Sequence, residues 1–376
     1  KIDEEKFNRL NRNAKSIQKP SLDEELAKKI VTMLAEAKKP LIYAGGGVLL
    51  ADAAKELREF VDHMGIPVAH TLMGKGTLPD DHPLTLGMTG FWGTKFINDT
   101  CREADCIIRL STSFKEANCS SWYPEFTFCM PPTRLIHIDI DPDEIGRNYP
   151  VEIGAVADVK QALRSLLRVA KERYPQVRDN AKLKLEIAAY RKEFAASNQE
   201  FATSDAFPMM PQRILADLRE VMPRDAIITT DVGWNKNGVG QQFPIYEPGS
   251  FITPGGYATM GFGTPAALGA KIAAPDRVVI SLIGDGGFGQ NPAVLATDFA
   301  GNPTGLDPHA VMLATCLSAA LASAIMGLFA GYPIAQAPGM GNNYLYVSIV
   351  MGLAATGVPN AWQVALGVVF LSGLVF

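Results

Sequence analysis

The triplet Gly284-Asp285-Gly286 closes the apolar run Val278–Ile283. A carboxylate therefore stands where a buried strand ends, between two residues that carry no side chain. An aspartate so placed can hold Mg²⁺ together with phosphate oxygens, and its glycine neighbours let a diphosphate come close. Alone, such a triplet is more often just a turn. Here Pro254-Gly-Gly256, Thr259-Met-Gly-Phe-Gly263 and Pro265-Ala-Ala-Leu-Gly-Ala270 precede it in order, and Asp231-Val-Gly233 follows a further strand-like run, Ala226–Thr230. The triple glycine Gly45–Gly47 also follows a strand-like run, but lacks the G-x-G-x-x-G spacing of a dinucleotide loop, so tight strand–helix packing is the reading there. His63, His70, His82, His137 and His309 are scattered, without the partners of a triad or metal site. Asp139, Asp141 and Asp143 are spaced as a strand end and turn, not as a complete calcium loop.

These residues need elements to position them. Ser21-Leu-Asp-Glu24 reads as a capping box with Ser21 at the N-cap, and Leu26, Ile30, Met33, Leu34 and Ala37 continue as a helical stripe ended by Pro40. A buried strand over Leu41–Ala44, a helix over about Ala51–Met64 closed by Gly65, and strands at Val68–Ala69, Cys106–Ile108 and Leu135–Asp139 follow. That alternation predicts a parallel α/β sheet domain over residues 20–167, after a linker at 1–19. Residues 168–205 read as a solvated helical connector. A second α/β unit over 206–289 contains strand Ala226–Thr230, a helix around Thr264–Ala273 and strand Val278–Ile283, and breaks off at the glycine–aspartate triplet.

Composition separates the chain in two. All 35 lysines and arginines and all 39 aspartates and glutamates lie at or before Asp307; Pro308–Phe376 has none. Ala310–Ala330 would be about 31 Å long as a helix, the thickness of a bilayer core. Tyr344–Thr356 and Ala361–Phe376 are also apolar, so a membrane-type helical segment is expected over 290–376. A net charge of −4 gives no sign of a nucleic-acid partner. The cysteines number five, an odd count without metal-type or framework spacing, and read as reduced thiols in a cytoplasmic setting for residues 1–289. The start at Lys1, without an initiator Met, suggests a fragment.

The ordered glycine-rich set over 254–286 resembles the diphosphate-binding domain of thiamine diphosphate enzymes of the acetolactate synthase group. Pro40-Leu-Ile-Tyr-Ala-Gly-Gly-Gly47, Thr71-Leu-Met-Gly-Lys-Gly76, Asp81-His-Pro83, Leu86-Gly-Met88 and His137-Ile-Asp-Ile-Asp-Pro142 are similar to that group's Rossmann-like central domain. The resemblance covers about residues 20–289. It implies a homo-oligomeric lyase or transferase that uses thiamine diphosphate and Mg²⁺ to decarboxylate a 2-keto acid and join the product to a second carbonyl, with the cofactor as electron sink. Carried over by resemblance, Asp285 would ligate Mg²⁺, Gly284 and Gly286 would shape the diphosphate loop, and Met260 would be the apolar wedge that bends the cofactor. Asp231, Gly233 and Gly256 would lie nearby. The group also leaves room for FAD in the central domain, although no residue here compels it.

Departures from the pattern are expected to matter. The pyrimidine-binding domain that supplies an activating glutamate does not precede the central domain. The metal motif's Asn pair is replaced by the stretch around Val311–Leu313, Asn342-Asn343 being the only later pair. Trp234-Asn-Lys-Asn-Gly238 also differs from the group's pattern. From near Gln290 the chain (about 290–376) resembles another family, the xanthine/uracil and guanine–hypoxanthine permeases, through Asn291-Pro-Ala-Val-Leu295, Ala314-Thr-Cys-Leu317, Tyr332-Pro-Ile-Ala335, Ala337-Pro-Gly-Met-Gly-Asn342 and Trp362–Phe370. That resemblance implies a transmembrane fragment in contact with lipid and, as the alternative function, nucleobase transport. The abutment of the two patterns suggests a chimera, inactive in either reaction as this exact chain.

Overall fold

The computed structural model describes residues 18–290, which fall into two units. The first contains the described residues up to Ile214 and Gly240–Gly249; the second contains Leu215–Val239 and the residues from Ser250.

The first unit is built on strands β1 (Pro40–Ala44), β2 (Val68–His70), β3 (Thr85–Met88), β4 (Cys106–Leu110), β5 (Arg134–Asp139) and β6 (Ile153–Val156). All pairs are parallel and the spatial order is β3-β2-β1-β4-β5-β6. β1 and β4 are buried at every position, as a parallel sheet covered on both faces requires. Successive side chains point to opposite faces, and each face has its own core. Ile42, Ala44, Ile108, Leu110, Ile136 and Ile138 pack with helices α1 (Glu24–Glu36), α3 (Ala54–Met64) and α6 (Val159–Arg173), while α2 is the short helix Gly46–Leu50. Leu41, Tyr43, Ile107 and Leu135 face a second core containing Phe114, Phe128 and Tyr149. Helices α4 (Lys95–Arg102), α5 (Glu116–Cys119) and α7 (Ala181–Ala202) belong to this unit, and α8 (Pro211–Val221) leads out of it.

Local chemistry moves several expected boundaries. Asp23, not Ser21, caps α1, its carboxylate accepting the Leu26 N–H at 2.9 Å; Asp23 stands two residues nearer the stripe and offers the same kind of oxygen acceptor. The single helix expected over 51–64 is two, because Asp52 adopts φ 52° between α2 and α3. Gly65 closes α3 at φ 62°, as its lack of a Cβ permits. β3 and β6 have no strand-like signature in the sequence: β3 contains Gly87 at φ 129°, and β6 alternates buried and exposed. The triple glycine does serve packing. A Cβ on Gly45 would lie 2.2 Å from the Thr112 Cβ and 2.3 Å from the Ser111 carbonyl oxygen.

The second unit centres on strand β7 (Ile227–Thr230), buried throughout, between the two-residue β8 (Phe251–Ile252) and β9 (Val279–Leu282). Both pairings are parallel. Helix α9 (Trp234–Gln242) follows β7, α10 (Gly263–Ala273) packs on β7 and β9, and the short α11 (Asp285–Gly289) follows β9. Thr229 lends its hydroxyl to the Gly263 carbonyl and to Ser281 Oγ, both at 3.0 Å, tying β7 to α10 and β9.

The expected membrane helices, the permease-like motifs, His309 and Cys316 lie outside the described residues. Among the described residues no helix is long and apolar enough to cross a membrane.

Candidate cofactor site

The chain leaves β7 toward β8 on one side, while β9 lies on the other. In an open parallel sheet such a reversal opens a crevice at the carboxyl ends of the strands, where ligands bind. Two segments converge there: the turn Asp231–Gly233 after β7, and Ile283–Gly284 with the start of α11 after β9.

Asp231 is the centre of that convergence, though not as a free ligand. Its side chain is only 1% exposed. Oδ1 accepts the N–H of Val232 at 2.7 Å and of Gly261 at 3.2 Å, and Oδ2 accepts the N–H of Gly263 at 2.8 Å. A Cβ on Gly287 would sit 2.7 Å from the Asp231 Cγ. One carboxylate thus ties the turn after β7, the 261–263 segment and the start of α11. It positions the neighbours Met260 and Gly286 rather than presenting an open lone pair. The signal in the sequence, an Asp at a strand end, is the same for both roles; only the packing of glycines against it separates them.

Of the remaining candidates, Gly256, Met260, Gly284 and Asp285 are exposed, Met260 by 44%, and Gly233 and Gly286 are half-buried. Gly233 takes φ 130° at the exit of the β7 turn. Gly284 opens onto free space, with no heavy atom within 4 Å of an added Cβ. Gly256 stands apart in the turn closed by the Ala258 N–H and the Gly255 carbonyl. An outward carboxylate beside an uncovered glycine fits a hard cation and the phosphates it carries. Two residues missed in the sequence belong here. Asn235 donates from Nδ2 to the Leu282 carbonyl at 2.9 Å, joining α9 to the end of β9. Lys236, on the first turn of α9, is half-buried with no acid in that turn.

The first unit holds its titratable groups differently. Among the described residues, the four histidines that looked unpartnered each have a partner. His82 Nε2 meets Asp62 at 2.8 Å, His63 meets the Tyr174 carbonyl at 2.9 Å, and His70 Nδ1 meets the Thr71 carbonyl at 2.9 Å. Arg109 Nη1 donates to His137 Nδ1 at 2.8 Å. Burial, and after it the Arg109 charge, pushes His137 down to about 3; burial, and after it Lys75, pushes His70 down to about 4. Both rings are neutral structural members of a core. No group of three metal-ligating side chains occurs among the described residues. A cavity of about 380 Å³ beside the edge strand β3 is walled by Lys75, Asp80, Tyr190, Arg191 and Gln241. Its charged groups are engaged: Lys75 with Asp80 at 2.7 Å, and Arg191 with the His82 and Thr85 carbonyls.

Comparison with known proteins places both units. Residues 27–166 match the thiamine pyrophosphate enzyme central domain, and residues 231–300 match the thiamine pyrophosphate enzyme C-terminal TPP binding domain. The two units thus match two domain families of thiamine pyrophosphate enzymes. Among curated proteins, the chain is 41% identical over 278 residues to the "Probable acetolactate synthase large subunit" of Methanocaldococcus jannaschii, covering 72% of this chain and 45% of that protein. It is 38% identical to the acetolactate synthase large subunit of Lactococcus lactis (73% and 45%) and 35% identical to the chloroplastic acetolactate synthase 2 of Nicotiana tabacum (73% and 40%). The chain spans less than half the length of these relatives. The comparisons lend no support to the permease resemblance.

Proposed function

We propose that this chain carries the diphosphate-binding edge and the central domain of an acetolactate synthase-like enzyme that decarboxylates a 2-keto acid and joins the product to a second carbonyl. The observation that carries the proposal is the delivery of two segments to one carboxyl edge by adjacent parallel strands. One segment holds the outward Asp285 and the open Gly284; the other is locked in place by Asp231. Thiamine diphosphate, when bound, supplies the electron sink that makes loss of CO₂ feasible. The chain's own residues do the holding. Asp285 offers an oxygen to Mg²⁺, Gly284 and Gly286 leave room for phosphate oxygens, and Met260, with Gly233 and Gly256 nearby, offers apolar surface to the rings. Asp231 acts through the three amides it holds. In the central domain, the order β3-β2-β1-β4-β5-β6 is that of dinucleotide-binding sheets, which favours FAD as a further occupant of that domain. A small 2-keto acid as substrate and a homo-oligomer as the working form complete the proposal.

Titration of the full chain with thiamine diphosphate, with and without Mg²⁺, tests it calorimetrically. Mg²⁺-dependent binding that Asp285→Asn weakens at least tenfold is expected. Binding unchanged by that substitution would refute the assignment of the metal to Asp285.

A further inference from the structure

The charge on this edge is one-sided. Asp231 and Asp285 are both acidic, and a diphosphate with Mg²⁺ adds further net negative charge. One cation stands in the helix that follows β7. Lys236 is the third residue of α9. The N-terminal end of a helix is the electropositive end, so a lysine in its first turn is disfavoured by its own helix unless an anion is present. Its ammonium is half-buried, and among the described residues no hydrogen bond or ion pair engages it. Burial lowers its affinity for a proton, and the charge of Asp231, within electrostatic reach, works the other way. Asp231 is itself committed to three backbone amides and does not form an ion pair with it.

Position completes the argument. The charge of Asp231 acts on Lys236, Asp231 abuts Gly287, and Gly287 lies two residues beyond Asp285. Asn235, the residue before Lys236, is anchored on the last residue of β9, so the first turn of α9 is held against the end of the strand that delivers Asp285. A local rule broken at such an edge, with no hydrogen bond or ion pair among the described residues to offset it, points to a residue kept for a ligand. We propose that Lys236 is a diphosphate contact: its ammonium would pair with phosphate oxygens of the cofactor. The inference rests on the thiamine diphosphate reading above. It adds a residue that reading does not use, with a long flexible stem suited to a point-charge contact with phosphate.

The test uses the full chain and three forms, the parent, Lys236→Gln and Lys236→Arg. Each is titrated with thiamine diphosphate plus Mg²⁺ and, separately, with inorganic pyrophosphate plus Mg²⁺. Lys236→Gln is expected to weaken both ligands by about ten- to a hundredfold, the range of one charge-assisted hydrogen bond, and Lys236→Arg to restore affinity to within about threefold. Without ligand, Lys236→Gln should melt at or above the parent temperature, because an unpaired cation leaves the helix N-terminus; a purely structural lysine would give the opposite shift. Equal affinities in the parent and Lys236→Gln overturn this inference and leave the cofactor reading intact. Lys236-dependent binding of pyrophosphate without binding of thiamine diphosphate keeps the contact and removes the thiamine reading. No binding of either ligand by the parent at millimolar concentration overturns both.

Discussion

Replacing Asp231 tests whether one carboxylate organises the second unit. In Asp231→Ala the N–H groups of Val232, Gly261 and Gly263, now satisfied at 2.7, 3.2 and 2.8 Å, lose their acceptor. Each orphaned buried donor costs about 1–3 kcal/mol. With partial relaxation and some water entry the sum is about 3–6 kcal/mol. That is a large part of the stability of a small domain, about 5–15 kcal/mol in total. Asp231→Asn is milder. One amide oxygen keeps the Val232 and Gly261 bonds, but the NH₂ group opposes the Gly263 N–H, at a cost of about 2 kcal/mol, or about thirtyfold in an opening equilibrium. Hydrogen exchange followed by mass spectrometry reads both. In Asp231→Asn, peptides containing Gly263 should exchange about thirtyfold faster. In Asp231→Ala, protection should fall across β7 and α10 together. β4 in the first unit, with its own cores, should keep its protection in both variants. Unchanged exchange around Gly261–Gly263 in Asp231→Ala would refute the argument, and so would an equal loss in β4.

Other perturbations follow the same geometry. Gly287→Ala places a methyl 2.7 Å from the Asp231 Cγ, and should lower the urea midpoint of the second unit by the equivalent of about 1–3 kcal/mol; an unchanged midpoint would show that the loop gives way freely. His70 and His137 have folded-state values near 4 and 3, below the ordinary value of 6.5, so each contributes stability that is complete above about pH 6.5 and is lost as pH falls toward its folded value. Between pH 7 and pH 5 the first unit should lose about 2 kcal/mol per histidine in urea melts, and His137→Gln should flatten that slope by about half; an unaltered slope would clear His137. Burial raises the thiols of Cys101, Cys106 and Cys119, the last two to about 12, while Cys129 is partly exposed. Mapping after brief iodoacetamide treatment should therefore find Cys129 modified first among these four, and early labelling of Cys101 would contradict the packing of the second core. Arg191→Ala removes the guanidinium from the His82 and Thr85 carbonyls beside the edge strand, and should speed amide exchange in β3 before β1.

Much of the architecture was legible before any tertiary contact. Apolar runs such as Leu41–Ala44 and Cys106–Ile108 are long enough and β-branched enough to be buried parallel strands. The glycines around Asp285 mark the end of a strand, β9. Both signals are local, set by side-chain type and by the freedom or restriction of the backbone. β3 and β6 were not legible. Gly87 weakens one as a strand sequence and exposure on one side breaks the apolar run of the other, so only pairing with β2 and β5 makes them strands. The partners of the histidines depended equally on the fold: Arg109 and His137 are far apart in sequence and become neighbours through the register of β4 against β5. The role of Asp231 shows the same limit at the candidate site. A carboxylate after a strand has equal chemistry whether it faces a cation or three backbone amides, and the sequence carries no mark of the choice. The tertiary structure decides it, because burial removes water as a competing donor and leaves the Val232, Gly261 and Gly263 amides as the groups that must be satisfied.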